Sequence, residues 1–500
     1  MHTAKVQNSF HITMNNEQLT SEICKSFGFP LTDEQLAATR VFSDFMFCSE
    51  GNTVMLMRGS AGTGKTTLAS AIVNTLIRLG QRVVLLAPTG RAAKMFSLNS
   101  DRPALTIHRK IYRQKAFSGV DTGFNLNQNM HQNTLFIVDE ASMIANDGFA
   151  SGDGLFGSGC LLDDLMRYVY SGHNCHLMLI GDKAQLPPVG AEESPALDPR
   201  CIAGYGMRVF ECDINEVLRQ SRDSGILYNA TVIRQMITHD NITQLPKIRF
   251  AGFPDIHIVE GNDLIEQLDS SYSKVGVDGT MVITRSNKRA NIYNQGIRNM
   301  ILGREEELET GDRLMIAKNS YHWMEQEIAE CIKNNQPVDT IPTFLANGDI
   351  AVVHRVRNNR ELYGLHFADV MLRFPDYDNY ETMLTVITDS LASESPALTN
   401  EQQQQLFAGV YDDYFDITTK AEKMKAVRED DHFNALQIKY AYAITCHKAQ
   451  GGQWEHVYLD QGYMTDDMLT PDYIHWLYTA FTRATEHLYL VNWRDTQISG

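Results

Sequence analysis

GSAGTGKT at residues 59–66 follows the apolar run TVMLM at residues 53–57, which has the length of a strand. Residues 67–79, TLASAIVNTLIRL, then carry apolar side chains at helical spacing. Glycines let successive backbone N–H groups converge on phosphate oxygens, and a helix N-terminus adds its dipole. The strand-loop-helix setting therefore predicts a phosphate loop, in which Lys65 reaches the β- and γ-phosphates and the Thr66 hydroxyl ligates Mg²⁺.

Three further apolar runs end in polar residues. VVLLA at residues 83–87 leads into PTGRAAK, LFIV at residues 135–138 ends at Asp139 and Glu140, and HLMLI at residues 176–180 leads to Gln185. In open α/β folds, ligands bind at the carboxyl edge of the parallel strands. We expect Asp139 to hold Mg²⁺, Glu140 to polarise the attacking water and Gln185 to sense the γ-phosphate. The pattern predicts a nucleotide-binding parallel sheet.

Composition narrows the class of protein. Five hundred residues suggest about three or four domains, and 43% hydrophobic with 21% charged residues is typical of a globular protein. The polar N-terminus lacks a secretory signal, and eight scattered cysteines favour reduced thiols over a zinc site. We therefore expect a cytoplasmic protein, in a bacterial cell or a phage-infected host, that does not enter a membrane. The net charge of −17 argues against a generally basic surface, so nucleic acid would need a local groove.

Taken together, these segments resemble the superfamily 1 DNA helicases, in particular their RecD-like and Dda-like branch. The resemblance is carried in family order by TDEQ (32–35), PTGRAAK (88–94), TIHR (106–109), VDEASM (138–143), GDKAQLPPV (181–189), EVLRQ (216–220), VITRSN (282–287), TCHKAQG (445–451) and YTAFTRA (478–484). The order matters more than any single match, because His447 or Arg483 alone would read as an ordinary surface residue. One departure is Gln453, where many relatives carry a ribose-contacting Glu.

The resemblance implies an α/β fold of two RecA-like phosphate-loop lobes with small inserted β subdomains. We predict an N-terminal extension at residues 1–30 and a first lobe at 31–222, with a pin region at about 101–133. The second lobe would span residues 223–500, with an SH3-like insert at about 313–435. Later segments of that insert read as polar helices on a solvated face.

The site residues follow from the motifs. The catalytic set is Lys65, Asp139, Glu140, Gln185, Arg219 and Arg483, in which the resemblance makes Arg219 approach the γ-phosphate and Arg483 act as the arginine finger. The resemblance also implies that Gln35 reads adenine. ATP would be bound by Gln35, Gly59, Ser60, Ala61, Gly62, Thr63, Gly64, Lys65, Thr66 and Thr67, and Mg²⁺ by Thr66 and Asp139.

The predicted DNA contacts are hydroxyls, amides and cations suited to a sugar-phosphate backbone. They are Thr89, Arg91, His108, Ser142, Thr284, Asn287, Thr445, His447 and Lys448. YRQKAFSGVDTGFNLNQ at residues 112–128 is typical of a hairpin, and the related helicases separate strands with a pin in this interval. Phe117 or Phe124 is the candidate wedge, although a hairpin phenylalanine often only packs on its own domain.

The sequence thus predicts an ATP-dependent DNA helicase that moves on single-stranded DNA and opens duplexes, working as a monomer at duplex junctions in replication, repair or recombination. The 5′-to-3′ direction rests on the resemblance alone. One alternative is a translocase that strips proteins from single strands without unwinding. Another is a phosphate-loop kinase or regulatory ATPase that never binds nucleic acid, which would leave PTGRAAK (88–94), TCHKAQG (445–451) and YTAFTRA (478–484) without a purpose.

Overall fold

A computed structural model describes residues 14–114, 124–146, 157–216, 223–239, 244–338, 340–342 and 344–499. No helix in these segments is long and apolar enough to cross a membrane. The strands are β1 Thr53–Gly59, β2 Arg82–Ala87, β3 Ala104–Thr106, β4 Tyr112–Gln114, β5 Phe124–Leu126, β6 Gln132–Val138, β7 His173–Gly181, β8 Arg208–Ile214, β9 Ile248–Arg249, β10 Ile256–Val259, β11 Thr280–Thr284, β12 Arg313–Ile316, β13 Ile350–Leu362, β14 Leu365–Phe374, β15 Tyr380–Ile387, β16 Leu436–Tyr440, β17 Ala443–Thr445, β18 Trp454–Asp460, β19 Ala484–Val491 and β20 Ile498–Ser499. The α-helices are α1 Asn16–Phe27, α2 Asp33–Met46, α3 Lys65–Arg78, α4 Gly90–Ser100, α5 Ile107–Ile111, α6 Leu161–Ser171, α7 Pro199–Ala203, α8 Gly225–Thr238, α9 Leu264–Gly279, α10 Asn287–Gly296, α11 His322–Lys333, α12 Asp389–Ala392, α13 Asn400–Asp413, α14 Lys420–Glu429, α15 Cys446–Ala449 and α16 Pro471–Phe481.

The first lobe is built on a six-stranded parallel sheet with the strand order β3-β2-β6-β7-β1-β8. The four strands predicted from apolar runs are β1, β2, β6 and β7, and all four belong to this sheet. Separate apolar clusters cover its two faces. Because the strands are parallel, the residues that follow them lie at one edge.

Helix α1 belongs to this lobe, although it falls inside the predicted N-terminal extension. It begins with a capping box between Asn15 and Gln18, which satisfies amides at the helix start. Leu19, Ile23 and Phe27 recur at helical spacing and are buried in the same cluster as α3. The predicted boundary at residue 30 therefore does not coincide with a boundary of packing.

The predicted pin region contains an antiparallel pair, β4 and β5, in which Tyr112 lies opposite Leu126. The turn between the two strands, residues 115–123, lies outside the described residues, and so does Phe117. The side chain of Phe124, at the start of β5, also lies outside them. The wedge role of these phenylalanines stays a prediction.

The second lobe is built on a five-stranded parallel sheet with the order β10-β19-β18-β11-β17. One apolar cluster on this sheet includes residues of α8 and α16. The chain therefore has the two parallel sheets expected of paired RecA-like lobes.

A closed five-stranded barrel, β12-β13-β14-β15-β16, interrupts the second lobe. Its last strand, β16, pairs with β12 and ends at Tyr440, beyond the predicted end of the insert at about residue 435. Helices α13 and α14 bury Leu406, Val410 and Val427 in a small apolar cluster at one end of the barrel. The SH3-like character of the barrel stays a prediction.

A buried ion pair joins the barrel to the second lobe. The Arg298 guanidinium donates to both carboxylate oxygens of Asp312, each at 2.9 Å, and both side chains are almost wholly buried. Tyr442, which directly precedes β17, also donates to Asp312 at 3.0 Å. A buried charge that loses its partner is costly, so this pair has to form whenever the barrel docks.

Asp312→Ala should therefore lower the free energy of unfolding by about 3–5 kcal/mol, because it leaves the Arg298 charge buried and unpaired. Urea denaturation followed by circular dichroism measures this loss. The control is Glu394→Ala, which removes the exposed pair with Lys288 (3.4 Å) and should cost less than about 1 kcal/mol. Equal losses in the two variants would contradict the assignment.

Candidate functional site

The phosphate loop (residues 59–66) connects β1 to α3. Gly64 caps α3 with φ +76°, a left-handed conformation that favours glycine. The Lys65 ammonium donates to the carbonyl oxygens of Gly59 at 2.8 Å and Ser60 at 2.7 Å. Burial lowers the pKa of Lys65, although the carboxylates of Asp182, Glu140 and Asp139 act in the opposite direction. The predicted strand-loop-helix unit therefore forms, with three acids around its lysine.

Gln35 supports the loop from beneath. Its amide nitrogen donates to the Thr63 carbonyl at 2.8 Å, and its amide oxygen accepts from the Thr32 backbone at 3.0 Å. The side chain has no exposed surface. Gln35 thus fixes the position of the phosphate loop, and the reading of adenine by this residue stays a prediction.

Asp139 and Glu140 lie beside the loop at the end of β6. The Asp139 amide donates to Leu86 at 3.0 Å, and the Glu140 amide donates to the Asp139 carboxylate at 2.8 Å. Burial raises the pKa of Asp139 to about 7, and the nearby charge of Glu140 is the second cause of this rise. Two crowded carboxylates near a phosphate loop are suited to a divalent cation, because Mg²⁺ prefers oxygen ligands. Asp139 and the Thr66 hydroxyl, which belongs to the first turn of α3, are therefore chemically compatible with the predicted Mg²⁺ site.

The motif III loop (residues 181–189) leaves the first sheet and enters the second lobe. Ala184 and Leu186 are buried in the apolar cluster of the second sheet. The Leu186 amide donates to the Thr479 hydroxyl at 2.8 Å, and the Leu186 carbonyl accepts from Gln450 at 2.7 Å. The amide oxygen of Gln185 is buried without a hydrogen-bond partner in the described segments. The predicted γ-phosphate sensor therefore lies in the interface between the lobes.

Tyr478 is the first residue of YTAFTRA (478–484), but no role was predicted for it from the sequence. Its hydroxyl donates to the Asp182 carboxylate at 2.5 Å and accepts the Ala61 amide of the phosphate loop at 3.0 Å. Burial, and next the Asp182 charge, raise the pKa of Tyr478, so the phenol keeps its proton. The place of Tyr478 in that segment was the available signal, but its partners lie about 300 and 400 residues away in the sequence.

Helix α8 of the second lobe also reaches this region. A Cβ atom on Gly62 would lie 3.0 Å from the Leu227 side chain. The Arg234 guanidinium lies 3.8 Å from the Asp182 carboxylate. The phosphate loop is thus bordered by both lobes.

Of the two arginines in the predicted catalytic set, only Arg483 lies within the described residues. Arg483 is buried and donates to the carbonyls of Thr479 at 3.0 Å and Gly452 at 3.2 Å, both in its own lobe. Arg219 lies outside the described residues. The arginine-finger role of Arg483 and the γ-phosphate role of Arg219 stay predictions.

The predicted DNA contacts lie at matching edges of the two sheets. Thr284 and Thr445 are paired in register at the ends of β11 and β17. In the first lobe Ala87 pairs with Thr106, which brings the Thr89 and His108 segments side by side. Asn287 is the first residue of α10, and His447 and Lys448 lie in α15.

Some side chains of this set are buried or uncharged. Ser142 and Thr284 have no exposed surface, so neither side chain can touch a strand directly in this arrangement. Burial lowers the pKa of His108 to about 4, so His108 is neutral and supplies no charge. Thr89 caps α4 by accepting from the Ala92 amide at 3.2 Å. Sequence alone could not separate residues that line the edge from those beneath it.

Arg91 contacts the second lobe. Its guanidinium lies 3.9 Å from the ring centre of Trp454, and a Cβ atom on Gly452 would lie 2.7 Å from the Arg91 side chain. Burial lowers the pKa of Arg91 to about 10. The described role of Arg91 is a cation–π contact between the lobes, and its contact with DNA stays a prediction.

The barrel meets both sheet edges. Lys448 donates to the Asn347 side chain, and Lys94 pairs with Asp376 at 2.9 Å. A Cβ atom on Gly90 would lie 2.6 Å from the buried carboxylate of Asp349, whose pKa burial raises to about 7. The barrel therefore packs beside the predicted strand-binding segments of both lobes.

Two family models match the chain. The AAA domain model matches residues 30–235, and the UvrD-like helicase C-terminal domain model matches residues 440–491. The first covers the phosphate loop and the motif III loop, and the second covers α15 and α16.

Relatives extend over most of the chain. An uncharacterized protein of Acanthamoeba polyphaga mimivirus is 22% identical over 91% of this chain and 98% of its own length. The RecBCD enzyme subunit RecD of Buchnera aphidicola is 23% identical over 89% of this chain and 71% of its own length. The ATP-dependent DNA helicase dda of Enterobacteria phage T4 is 22% identical over 79% and 84%, respectively.

Other relatives match less of their own length. The chain spans only 17% of the ATP-dependent RecD2 DNA helicase of Deinococcus radiodurans, at 35% identity, and 38% of an uncharacterized protein of Methanocaldococcus jannaschii.

Among solved structures, a crystal structure of Pif1 helicase from Bacteroides, in complex with ADP-AlF3 and ssDNA, matches 94% of this chain and 95% of its own chain. The identity is 14% and the TM-score is 0.46.

Gly59→Ala should disable the phosphate loop, because the added Cβ would lie 2.3 Å from the Ile214 carbonyl oxygen of β8. Displacing the loop misplaces Lys65, and we expect ATPase activity to fall about tenfold or more. Gly51→Ala is the matched control, since a Cβ there meets nothing within 4 Å. Unchanged ATPase activity in Gly59→Ala would show that the loop does not require glycine here.

The two family models and the relatives point in the same direction. The models match the two lobes in the expected order, and the RecD and dda relatives extend across both. The geometry of a phosphate loop bordered by a second parallel-sheet lobe fits the same family. Across both lobes, this chain is related to the superfamily 1 helicases of the RecD-like and Dda-like branch.

Proposed function

We propose that this ATP-dependent DNA helicase moves 5′-to-3′ along single-stranded DNA and opens duplexes by closing its two lobes around ATP. The observation that supports this most directly is the contact of α16 with both the motif III loop and the phosphate loop. A nucleotide at the loop would be sensed by both lobes at once. The direction of movement is supported only by the likeness to the RecD and Dda helicases.

The ATP site would work through charge neutralisation and positioning. Phosphoryl transfer spreads charge over the γ-phosphate oxygens, so catalysis depends on cations placed around them. Lys65 would bind these oxygens from the first lobe, with Arg483 and Arg219 completing the site. Thr66 and Asp139 would hold Mg²⁺, which neutralises phosphate charge when bound. Glu140 would orient the attacking water, and Gln185 would sense the γ-phosphate.

Lobe closure would turn ATP binding into movement. A ligand shifts a conformational equilibrium only if it binds one state better than the other. ATP satisfies this requirement when its phosphates contact groups from both lobes. Hydrolysis removes the γ-phosphate and with it the preference for the closed state. The motif III loop would transmit this change between the lobes, because its Ala184 and Leu186 side chains are buried in the apolar cluster of the second lobe.

DNA would lie along the sheet edges, where the chain offers a local surface despite its net charge of −17. The candidates with at least partly exposed surface are Thr89, Arg91, His108, Asn287, Thr445, His447 and Lys448. They are suited to sugars and phosphates, which gives tracking without base readout. We propose that duplex junctions are the substrate, that the motor is monomeric, and that replication or recombination proteins are its partners.

Lys65→Ala should reduce single-strand-stimulated ATPase activity about 100-fold or more and abolish unwinding, because it removes the loop cation from the phosphates. Phosphate release and strand displacement on 5′-tailed and 3′-tailed duplexes measure both effects. Lys25→Ala, at an exposed lysine of α1, should retain both activities.

Three results would contradict this function or a part of it. ATPase activity of the unaltered chain that does not respond to single-stranded DNA would exclude a DNA motor. Displacement only from 3′-tailed duplexes would reverse the proposed direction. Displacement of a bound protein without unwinding would favour the translocase.

Phe117→Ala and Phe124→Ala test the pin. If either ring separates strands, its removal should lower unwinding about tenfold or more while retaining single-strand-stimulated ATPase activity, since base–aromatic contacts are worth about 1–3 kcal/mol each. Loss of both activities together would indicate a packing role instead.

A further inference from the structure

The single proton of the Tyr478 hydroxyl already forms a hydrogen bond. It is donated to Asp182, whose carboxylate also accepts the Ala184 amide at 3.0 Å. The hydroxyl can therefore meet the phosphate loop only as an acceptor, which is how it binds the Ala61 amide. In this arrangement Tyr478 offers a lone pair, not a donor, toward the loop.

Two hydrogen-bond donors of the phosphate loop are therefore already bonded to other groups of the protein. The Lys65 ammonium binds the carbonyls of Gly59 and Ser60, and the Ala61 amide binds Tyr478. A phosphate that takes these donors must displace their present partners. Lys65 can swing by side-chain rotation, but the Tyr478 hydroxyl is fixed to a helix of the second lobe.

Tyr478 is not needed merely to hold α16 in place. The same helix is bound to the motif III loop through Thr479, which accepts from Leu186 at 2.8 Å. His475 adds a contact with the Ala184 carbonyl at 2.9 Å. Of these three side chains, only Tyr478 also contacts the phosphate loop. Removing its hydroxyl should therefore change the loop without detaching α16 from the motif III loop.

We propose that Tyr478 is a positioning residue that acts as a brake on nucleotide binding, because its hydroxyl competes with a phosphate oxygen for the Ala61 amide. The inference rests on the ATP site proposed above. When phosphate takes the Ala61 amide, it replaces the direct bond between Tyr478 and the loop, while Thr479 keeps α16 on the motif III loop. Nucleotide binding is thereby linked to the position of the second lobe.

Tyr478→Phe tests the brake, since it removes the hydroxyl and keeps the buried ring. The full-length chain is titrated with the magnesium complex of ATPγS in a calorimeter. The expected result is a Kd about three- to tenfold lower than that of the unaltered chain, because a competing acceptor is gone. Thr479→Val is the matched control: it removes an interlobe hydrogen bond of the same helix and should not tighten binding.

An unchanged or higher Kd in folded Tyr478→Phe would overturn the brake, because a merely structural hydroxyl would weaken binding when lost. If Tyr478→Phe fails to fold, 3-fluorotyrosine placed at position 478 reports the same event by fluorine NMR. Its resonance should shift when ATPγS is added, and an unshifted resonance under saturating ATPγS would overturn the proposal. If the unaltered chain binds no ATPγS, the proposed ATP site itself fails.

Discussion

The insertion of the motif III loop into the second lobe is the contact on which the rest of the arrangement depends. This loop continues β7 of the first sheet, yet Ala184 and Leu186 are buried among side chains of the second sheet. Burial of apolar surface gives the contact its stability, and the hydrogen bonds from Leu186 and to Asp182 fix its geometry. Without it, the phosphate loop would be an ordinary nucleotide site on one lobe.

The same arrangement explains how an acidic chain can serve a polyanionic ligand. Only two of the predicted DNA contacts are Arg or Lys, and both already have partners: Arg91 stacks on Trp454, and Lys448 contacts Asn347. Burial lowers the pKa of Lys448 to about 8. A track of this kind relies on hydroxyls, amides and shape more than on charge, and its affinity for DNA should depend less steeply on salt than that of a basic groove.

The sequence predicted what is local. The strands β1, β2, β6 and β7 and the start of α3 follow from apolar runs, glycines and strand-end acids within a few residues of one another. It could not predict which motif residues are buried, such as Ser142 and Thr284, nor contacts between distant segments. Tyr478 meets Ala61 only after both lobes fold, and α1 joins the first lobe through side chains that no motif marks.

The most direct measurement of the central claim is the distance between the lobes. Spin labels at the exposed positions 98 in α4 and 292 in α10, introduced in place of Leu98 and Ile292, report this distance by double electron–electron resonance. We predict that ATPγS with Mg²⁺ shifts and narrows the distance distribution, and that single-stranded DNA shifts it further. A distribution that is the same with and without nucleotide would contradict an ATP site shared by the two lobes.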